Sequence, residues 1–163
     1  MYRSVPLSSE HDLAQFSSGN QELDAWLRDY ADRTSRMNVA RTFVWAEENK
    51  RVVAYYALAA HQVASEVLPH QMARGGPRQV PAVLIGKLAL DASLQGQGLG
   101  ASLLADAAQR IVEATETVAA RLVVVDAIDG KAATFYEHFG FVRTAPGSSG
   151  LVQKRSDLAA AFD

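Results

Sequence analysis

The chain has 163 residues, a formal net charge of −2 and no cysteine. That length suits one domain with its own hydrophobic core, and the absence of thiols excludes disulfide frameworks, thiolate metal sites and cysteine nucleophiles. The charge balance argues against a protein that coats nucleic acid through bulk positive charge.

The first ten residues mix Arg3, Ser4, Pro6 and Ser8 without a long apolar stretch. No secretory signal or anchor is readable there, and no later run approaches the roughly 18 apolar residues of a membrane span. A soluble, cytoplasmic protein with no membrane partner is expected. Ser4 to Leu7 reads as a short first strand. Beyond Ser17-Ser18-Gly19-Asn20, apolar residues recur at Leu23, Trp26, Leu27, Tyr30 and Ala31. Offsets of three and four predict an amphipathic helix, with Ser18 or Asn20 as its N-cap. Thr42 to Ala46 and Val52 to Ala60 are rich in Val, Phe, Trp and Tyr around the polar turn Glu47-Glu48-Asn49-Lys50, which predicts a β-hairpin. A short helix is expected around Ala64 to Met72, and Gly75-Gly76-Pro77 breaks the chain.

Pro81 to Leu90 reads as a buried strand. A Gly-rich turn follows, then a helix from about Gly98 to Thr115 with Leu99, Leu103, Ala107 and Ile111 on one face. Leu122 to Val125 is a continuous apolar run and predicts a central strand. Lys131 to Phe139 reads as a helix; Phe141-Val142 and Leu151 to Lys154 read as closing strands around the turn Pro146-Gly147-Ser148-Ser149-Gly150. The order hairpin, strand, helix, strand, helix, strand, strand describes an α/β (α+β) sheet of mixed direction rather than a regular βαβ alternation. A single domain over residues 1–163 is expected.

Charge is unevenly spread. No acid lies between Glu66 and Asp91, whereas Arg74, Arg78 and Lys87 fall inside that stretch, and Arg28, Arg33, Arg36 and Arg41 form a second cluster diluted by Asp29 and Asp32. These are either solvated surface residues or local basic patches for an anionic substrate or cofactor. No His/Cys/Asp/Glu pattern marks a metal site, and none is expected.

The informative segment runs from Leu88-Ala89-Leu90 through Asp91 to Gln95-Gly96-Gln97-Gly98-Leu99-Gly100. A strand passing through a Gly-rich turn into a helix presents backbone N–H groups and a positive helix end to a phosphate or diphosphate, and glycine lets the anion approach the backbone. A P-loop would need Gly-Lys-Ser or Gly-Lys-Thr, which is absent. Gly96, Gly98 and Ala101 do satisfy the dinucleotide pattern G-x-G-x-x-A, with Asp126 ending the next strand. However, too little chain follows Asp126 for the rest of that fold, and a hairpin precedes the motif.

Gln95-x-x-Gly98-x-Gly100 resembles the Gln/Arg-x-x-Gly-x-Gly/Ala signature of the GNAT N-acetyltransferase superfamily, and Ala132-Ala133-Thr134-Phe135-Tyr136-Glu137-His138-Phe139-Gly140-Phe141 resembles that family's A-x-x-F-Y-x-x-x-G-F segment. The resemblance implies a central mixed sheet of about six to seven strands flanked by helices, and acetyl-CoA as cofactor. It implies that the backbone of Leu88, Ala89 and Leu90 pairs with the pantetheine arm and that Gln95, Gly96, Gln97, Gly98, Leu99, Gly100 and Ala101 grip the diphosphate, with Asp126 and Phe135 also on the cofactor. By pattern alone Phe135 and Tyr136 are core aromatics of an amphipathic helix. The resemblance implies Tyr136 as the proton donor to the leaving thiolate, a role that a phenol with an ordinary pKa of about 10 can fill at neutral pH. Glu47, Glu48, Glu66, His61, His70 and Asp126 are all candidates for a general base. A base is dispensable if the acceptor amine is weakly basic: an α-amino group has a pKa of about 7.7–8.0, and esterification of its carboxyl, as in aminoacyl-tRNA, lowers it further.

A wider resemblance covers about residues 5 to 155. Phe16-Ser17-Ser18-Gly19-Asn20-Gln21-Glu22-Leu23-Asp24-Ala25-Trp26-Leu27, Ala40-Arg41-Thr42-Phe43-Val44, Val53-Ala54-Tyr55-Tyr56-Ala57-Leu58, Val80-Pro81-Ala82-Val83-Leu84-Ile85-Gly86-Lys87-Leu88-Ala89 and Val125-Asp126-Ala127 are similar to the GNAT toxins of toxin–antitoxin systems. That resemblance implies acetylation of the amino group of aminoacyl-tRNA, arrest of translation, a ribbon-helix-helix antitoxin and a homodimer. Arg41, Arg78 and Lys87 would line the acceptor groove. A GNAT enzyme acting on a small amine or a protein N-terminus is the alternative left open by the cofactor motif.

Overall fold

The computed structural model describes residues 2–145 and 148–162. Among these it contains seven strands, in the sheet order β1-β2-β3-β4-β5-β7-β6. They are β1 (Val5–Pro6), β2 (Arg41–Ala46), β3 (Val52–Ala64), β4 (Gln79–Leu90), β5 (Leu122–Asp126), β6 (Val142–Arg143) and β7 (Gly150–Lys154). The helices are α1 (Gln21–Asp29), α2 (Ala31–Arg36), α3 (His70–Ala73), α4 (Leu99–Thr115), α5 (Gly130–His138) and α6 (Arg155–Ala161). The β4–β5 pair is parallel and the pairs β1–β2, β2–β3, β5–β7 and β6–β7 are antiparallel, so the sheet is mixed as expected.

Contacts gather into two compact units, residues 1–59 with 86–107 and residues 60–85 with 108–163. In the first, β2 and β3 form the expected hairpin, with Phe43 opposite Tyr56 and Val44 opposite Tyr55. Its core collects Phe16, Leu23, Leu27, Ala31, Val44, Val52, Tyr55 and Ala89. Side chains such as Leu27, with no exposed surface, each contribute roughly 1.5–3 kcal/mol by leaving water. Helix α1 is capped by Asn20, whose side chain accepts from the Leu23 amide at 3.0 Å. This selects Asn20 over Ser18.

The helical pattern that runs on to Ala31 is broken at Tyr30, where φ of −124° ends α1 and Ala31 opens the separate helix α2. Ala31 is fully buried while Tyr30 is half exposed, so the apolar spacing survives a break in the backbone.

In the second unit, Leu122 to Val125 pairs with Ala82 to Ile85 on one side and with Leu151 to Lys154 on the other. A strand bonded on both edges and covered on both faces explains the unbroken apolar run. Val63, Leu68, Val80, Ala82, Leu122, Val124 and Val152 form its core. Strand β3 continues four residues past the expected end at Ala60, and the Ser65 amide donates to the Arg78 carbonyl at 2.8 Å. The expected helix over Ala64 to Met72 becomes a 3-10 turn at Ser65–Val67 and the short α3, separated at Leu68-Pro69. Phe141 lies just outside β6 and is buried. Of the expected closing turn, Pro146 and Gly147 lie outside the described residues, while the Ser149 carbonyl accepts from the Ala127 amide at 2.8 Å.

Candidate active site

The end of β4, a 3-10 turn at Ala92–Leu94 and the first turn of α4 make one continuous segment of the first unit. The β4–β5 ladder covers only Ala82 to Ile85. Gly86 to Leu90 therefore carry backbone groups along that edge that no β5 residue pairs. Gly96 and Gly98 both take positive φ, +79° and +77°, a conformation that penalises any side chain. A Cβ at either position would meet nothing within 4 Å, so both glycines face open space. The first N–H groups of α4 have no acceptor within the helix, and the macrodipole adds partial positive charge there. Positive-φ glycines, open space and unsatisfied amides at a helix start fit a diphosphate.

The scaffold beneath this turn is polar and buried. Asp91 is only 3% exposed. Its carboxylate accepts from the Ser17 amide at 2.9 Å, the Ser93 amide at 3.0 Å and the Ser93 hydroxyl at 2.6 Å, and Arg51 lies 3.5 Å away. Burial alone would raise the Asp91 carboxyl, but the Ser93 hydroxyl, the two amides and Arg51 outweigh it and hold it below its ordinary value. The Gln95 carboxamide nitrogen donates to the Ser18 carbonyl at 2.7 Å and the Leu90 carbonyl at 3.0 Å. Gln97 donates similarly to Ser93 at 3.1 Å. Both glutamine side chains thus brace the turn through carbonyl oxygens. Ser18 is tied in turn to Asp24 of α1, which accepts from its amide at 3.0 Å and its hydroxyl at 2.6 Å.

The second unit holds Phe135, Tyr136 and Asp126. Helix α5 starts at the N-cap Asp129, whose side chain accepts from the Ala132 amide at 2.8 Å. Tyr136 is 6% exposed, packed edge-on between Phe135 and Phe141 at centroid distances of 5.3 and 5.7 Å. Burial raises its phenol well above the ordinary value. Gly140, at the end of α5, has φ of +95°, and a Cβ there would come within 2.5 Å of the Gln153 side chain. The conformation and the close approach explain the glycine of the Phe-Tyr segment. Asp126 ends β5 and accepts from the Ser149 hydroxyl at 3.2 Å.

The three basic residues occupy different settings. Arg41 is exposed and bonded to the Ser35 carbonyl at 3.0 Å and the Asn38 side chain at 2.8 Å. Lys87 lies on β4, its ammonium 5.7 Å from the centre of the Trp26 ring, which stacks on Tyr55. Arg78 belongs to the second unit and is exposed. Among the described residues there is no group of three or more His, Cys, Asp or Glu able to hold a metal ion, and no helix long and apolar enough to cross a membrane.

Sequence reasoning did not single out Asp91, Ser17 or Asp24. A signal existed for the first: an aspartate immediately after an apolar strand and two residues before a serine is an Asx-turn pattern.

A seven-stranded mixed sheet with this strand–turn–helix segment defines an acyltransferase fold. Residues 40–143 match the family described as the acetyltransferase (GNAT) domain, and the chain belongs to that family. It is 39% identical over 135 residues to the tRNA-acetylating toxin of Mycobacterium tuberculosis (strain ATCC 25618 / H37Rv), covering 83% of this chain and 81% of the relative. Its fold matches AtaT in complex with acetyl-methionyl-tRNAfMet at a TM-score of 0.90 and 27% identity, over 100% of both chains. It also matches a mutant AtaT toxin bound to acetyl-CoA and the C-terminus of the antitoxin AtaR, at a TM-score of 0.84 and 26% identity over 99% and 98% of the two chains.

Proposed function

We propose that this chain is a toxin-type enzyme that transfers the acetyl group of acetyl-CoA to the α-amino group of aminoacyl-tRNA and so blocks translation. The observation that carries this reading is the kinship with a tRNA-acetylating toxin across four fifths of both chains. The likeness to AtaT in complex with acetyl-methionyl-tRNAfMet supports it.

Acetyl-CoA, when bound, supplies an acetyl group activated as a thioester, open to direct attack by an amine. The turn from Gln95 to Ala101 holds the diphosphate through backbone N–H groups. Leu88, Ala89 and Leu90, beyond the end of the β5 ladder, offer backbone groups of β4 to the pantetheine amides, with Asp126 and Phe135 as further cofactor contacts. Tyr136 keeps its proton at neutral pH and delivers it to the sulfur as the carbon–sulfur bond breaks. The nitrogen sheds one proton as the amine becomes an amide, and that proton restores the phenol, whose burial favours the neutral form. No side chain needs to act as general base, because an α-amino group titrates at about 7.7–8.0 and esterification of its carboxyl lowers that, so that unprotonated amine is present at neutral pH. Lys87, Arg41 and Arg78 supply cations for tRNA phosphates. The reading takes residues 1–163 as one functional domain, and it is supported by β3, β4 and α4, each of which has residues in both units.

The reading extends to a ribbon-helix-helix antitoxin as partner, a homodimer and a cytoplasmic setting. The relative that binds the C-terminus of its antitoxin supports the first of these. Cell-free translation tests the proposal: the protein with acetyl-CoA should stop synthesis, and the protein without acetyl-CoA should not. Continued synthesis under both conditions would refute it.

A further inference from the structure

The cofactor turn is braced from beneath by one buried carboxylate. Asp91 is the first residue after β4, and its own amide donates to the Val53 carbonyl at 2.8 Å, fixing the strand end to β3. Its carboxylate takes the Ser17 amide on one oxygen and the Ser93 amide and hydroxyl on the other. One residue on, the Ala92 amide donates to the Ser17 carbonyl at 2.8 Å. Gln95 then reaches back to the Ser18 carbonyl at 2.7 Å. The segment 17–18 is therefore stitched to 91–95 at three hydrogen-bonded points, Ser17 N–H, Ser17 C=O and Ser18 C=O, while the Ser93 contacts to Asp91 close the 3-10 turn within 91–95.

We infer that Asp91 is a positioning residue for the cofactor turn: it sets where Gln95 to Gly98 lie, by holding Ser17 and Ser93 from beneath, without itself touching the cofactor. Asp91 is nearly solvent-free, so it has no surface to offer an anion, and a carboxylate would repel a diphosphate at contact range. Its effect passes instead through hydrogen bonds. A carboxylate accepts at both oxygens, as three donors here require, whereas a carboxamide accepts at only one. Asp91→Asn therefore keeps the shape of the side chain but must turn an NH2 toward either Ser17 or Ser93. The turn is then left with one N–H facing another, and Gln95 loses its fixed distance to Ser18.

This inference rests on the acetyl-CoA reading of the turn, and the test separates the two. Acetyl-CoA affinity is measured by titration calorimetry for the wild type, Asp91→Asn, Gln95→Ala and the double variant, with KM and kcat followed in parallel. Thermal melting checks that each variant is folded. Ser93→Ala, which removes only the hydroxyl bond to Asp91, serves as a milder probe should Asp91→Asn fail to fold. Asp91→Asn is expected to weaken acetyl-CoA binding about 10-fold, the scale of a lost charge-assisted hydrogen bond, with KM rising and kcat nearly unchanged. The double variant should be non-additive by about threefold or more, as residues acting through one network are. Wild-type affinity in Asp91→Asn and Ser93→Ala, or additivity with Gln95→Ala, would overturn the positioning role. A wild type that binds no acetyl-CoA would instead overturn the reading of the turn itself.

Discussion

Tyr136 sits among Phe135 and Phe141 in an apolar setting that keeps its phenol protonated. Two outcomes follow at this scale. Tyr136→Phe should lower kcat about 10²–10⁴-fold, the span of a lost general acid, while leaving acetyl-CoA affinity within a small factor. The pH–rate profile of the wild type should rise as the acceptor amine deprotonates, near about pH 7–8. Because the Tyr136 pKa is raised, no falling limb from its ionisation should appear at the ordinary phenol pKa of about 10. A fall near that pH that disappears in Tyr136→Phe would leave Tyr136 as the acid but contradict the upward shift that burial imposes on it. Gly140 tests the geometry behind the tyrosine. Gly140→Ala forces a side chain into positive φ and onto Gln153, and should cost about 1–3 kcal/mol in denaturant unfolding. Neutral behaviour would mean that the turn after α5 relaxes freely.

At the scale of elements, α1 and α4 are held by specific polar contacts as well as by burial. Asn20→Ala removes the acceptor for the Leu23 amide and should destabilise the protein by about 1 kcal/mol, read from the urea midpoint. Helix α4 is joined to the first three strands' region through Asp106. That carboxylate accepts from the Ser4 amide at 3.0 Å and the Ser4 hydroxyl, from the Trp45 indole at 3.2 Å and from the Tyr56 hydroxyl at 2.6 Å. Partial burial would raise its pKa, but the Ser4, Tyr56 and Trp45 donors outweigh that and lower it. A depressed carboxyl stabilises the fold above its unfolded pKa of about 3.9, and that stability is lost as pH falls through the folded value. Asp106→Asn should therefore be less stable than the wild type at pH 7, with the gap closing in acid. A gap that stays constant down to pH 2 would show that the charge is irrelevant.

Most elements were legible because their residues obey a single rule. Leu122 to Val125 reads as a central strand because both of its faces are covered, and the α4 pattern at Leu103, Ala107 and Ile111 marks three fully buried side chains. Failures occur where tertiary contacts override local pattern. Tyr30 keeps the helical spacing while its backbone breaks it, and the polar pair His61-Gln62 remains in β3 although neither residue favours a strand. The Gly-rich turn was readable because glycine at Gly96 and Gly98 reports a backbone requirement directly. Its support was not, since Ser17 and Asp91 are far apart in sequence and their contact is made only by folding.

For the molecule as a whole, a net charge of −2 and a tRNA acceptor are compatible because the basic residues are local. The stretch between Glu66 and Asp91 carries Arg74, Arg78 and Lys87 without a single acid. Recognition of an amine at the end of tRNA needs a few phosphate contacts rather than an overall positive field. The identity of the acceptor is tested most directly by following the acetyl group. The purified protein is incubated with labelled acetyl-CoA and a pool of charged and uncharged tRNA, and the label is traced to the aminoacyl group. Label in the charged tRNA alone is the result predicted here. Label absent from charged tRNA but carried efficiently by a small amine or a protein N-terminus would contradict it.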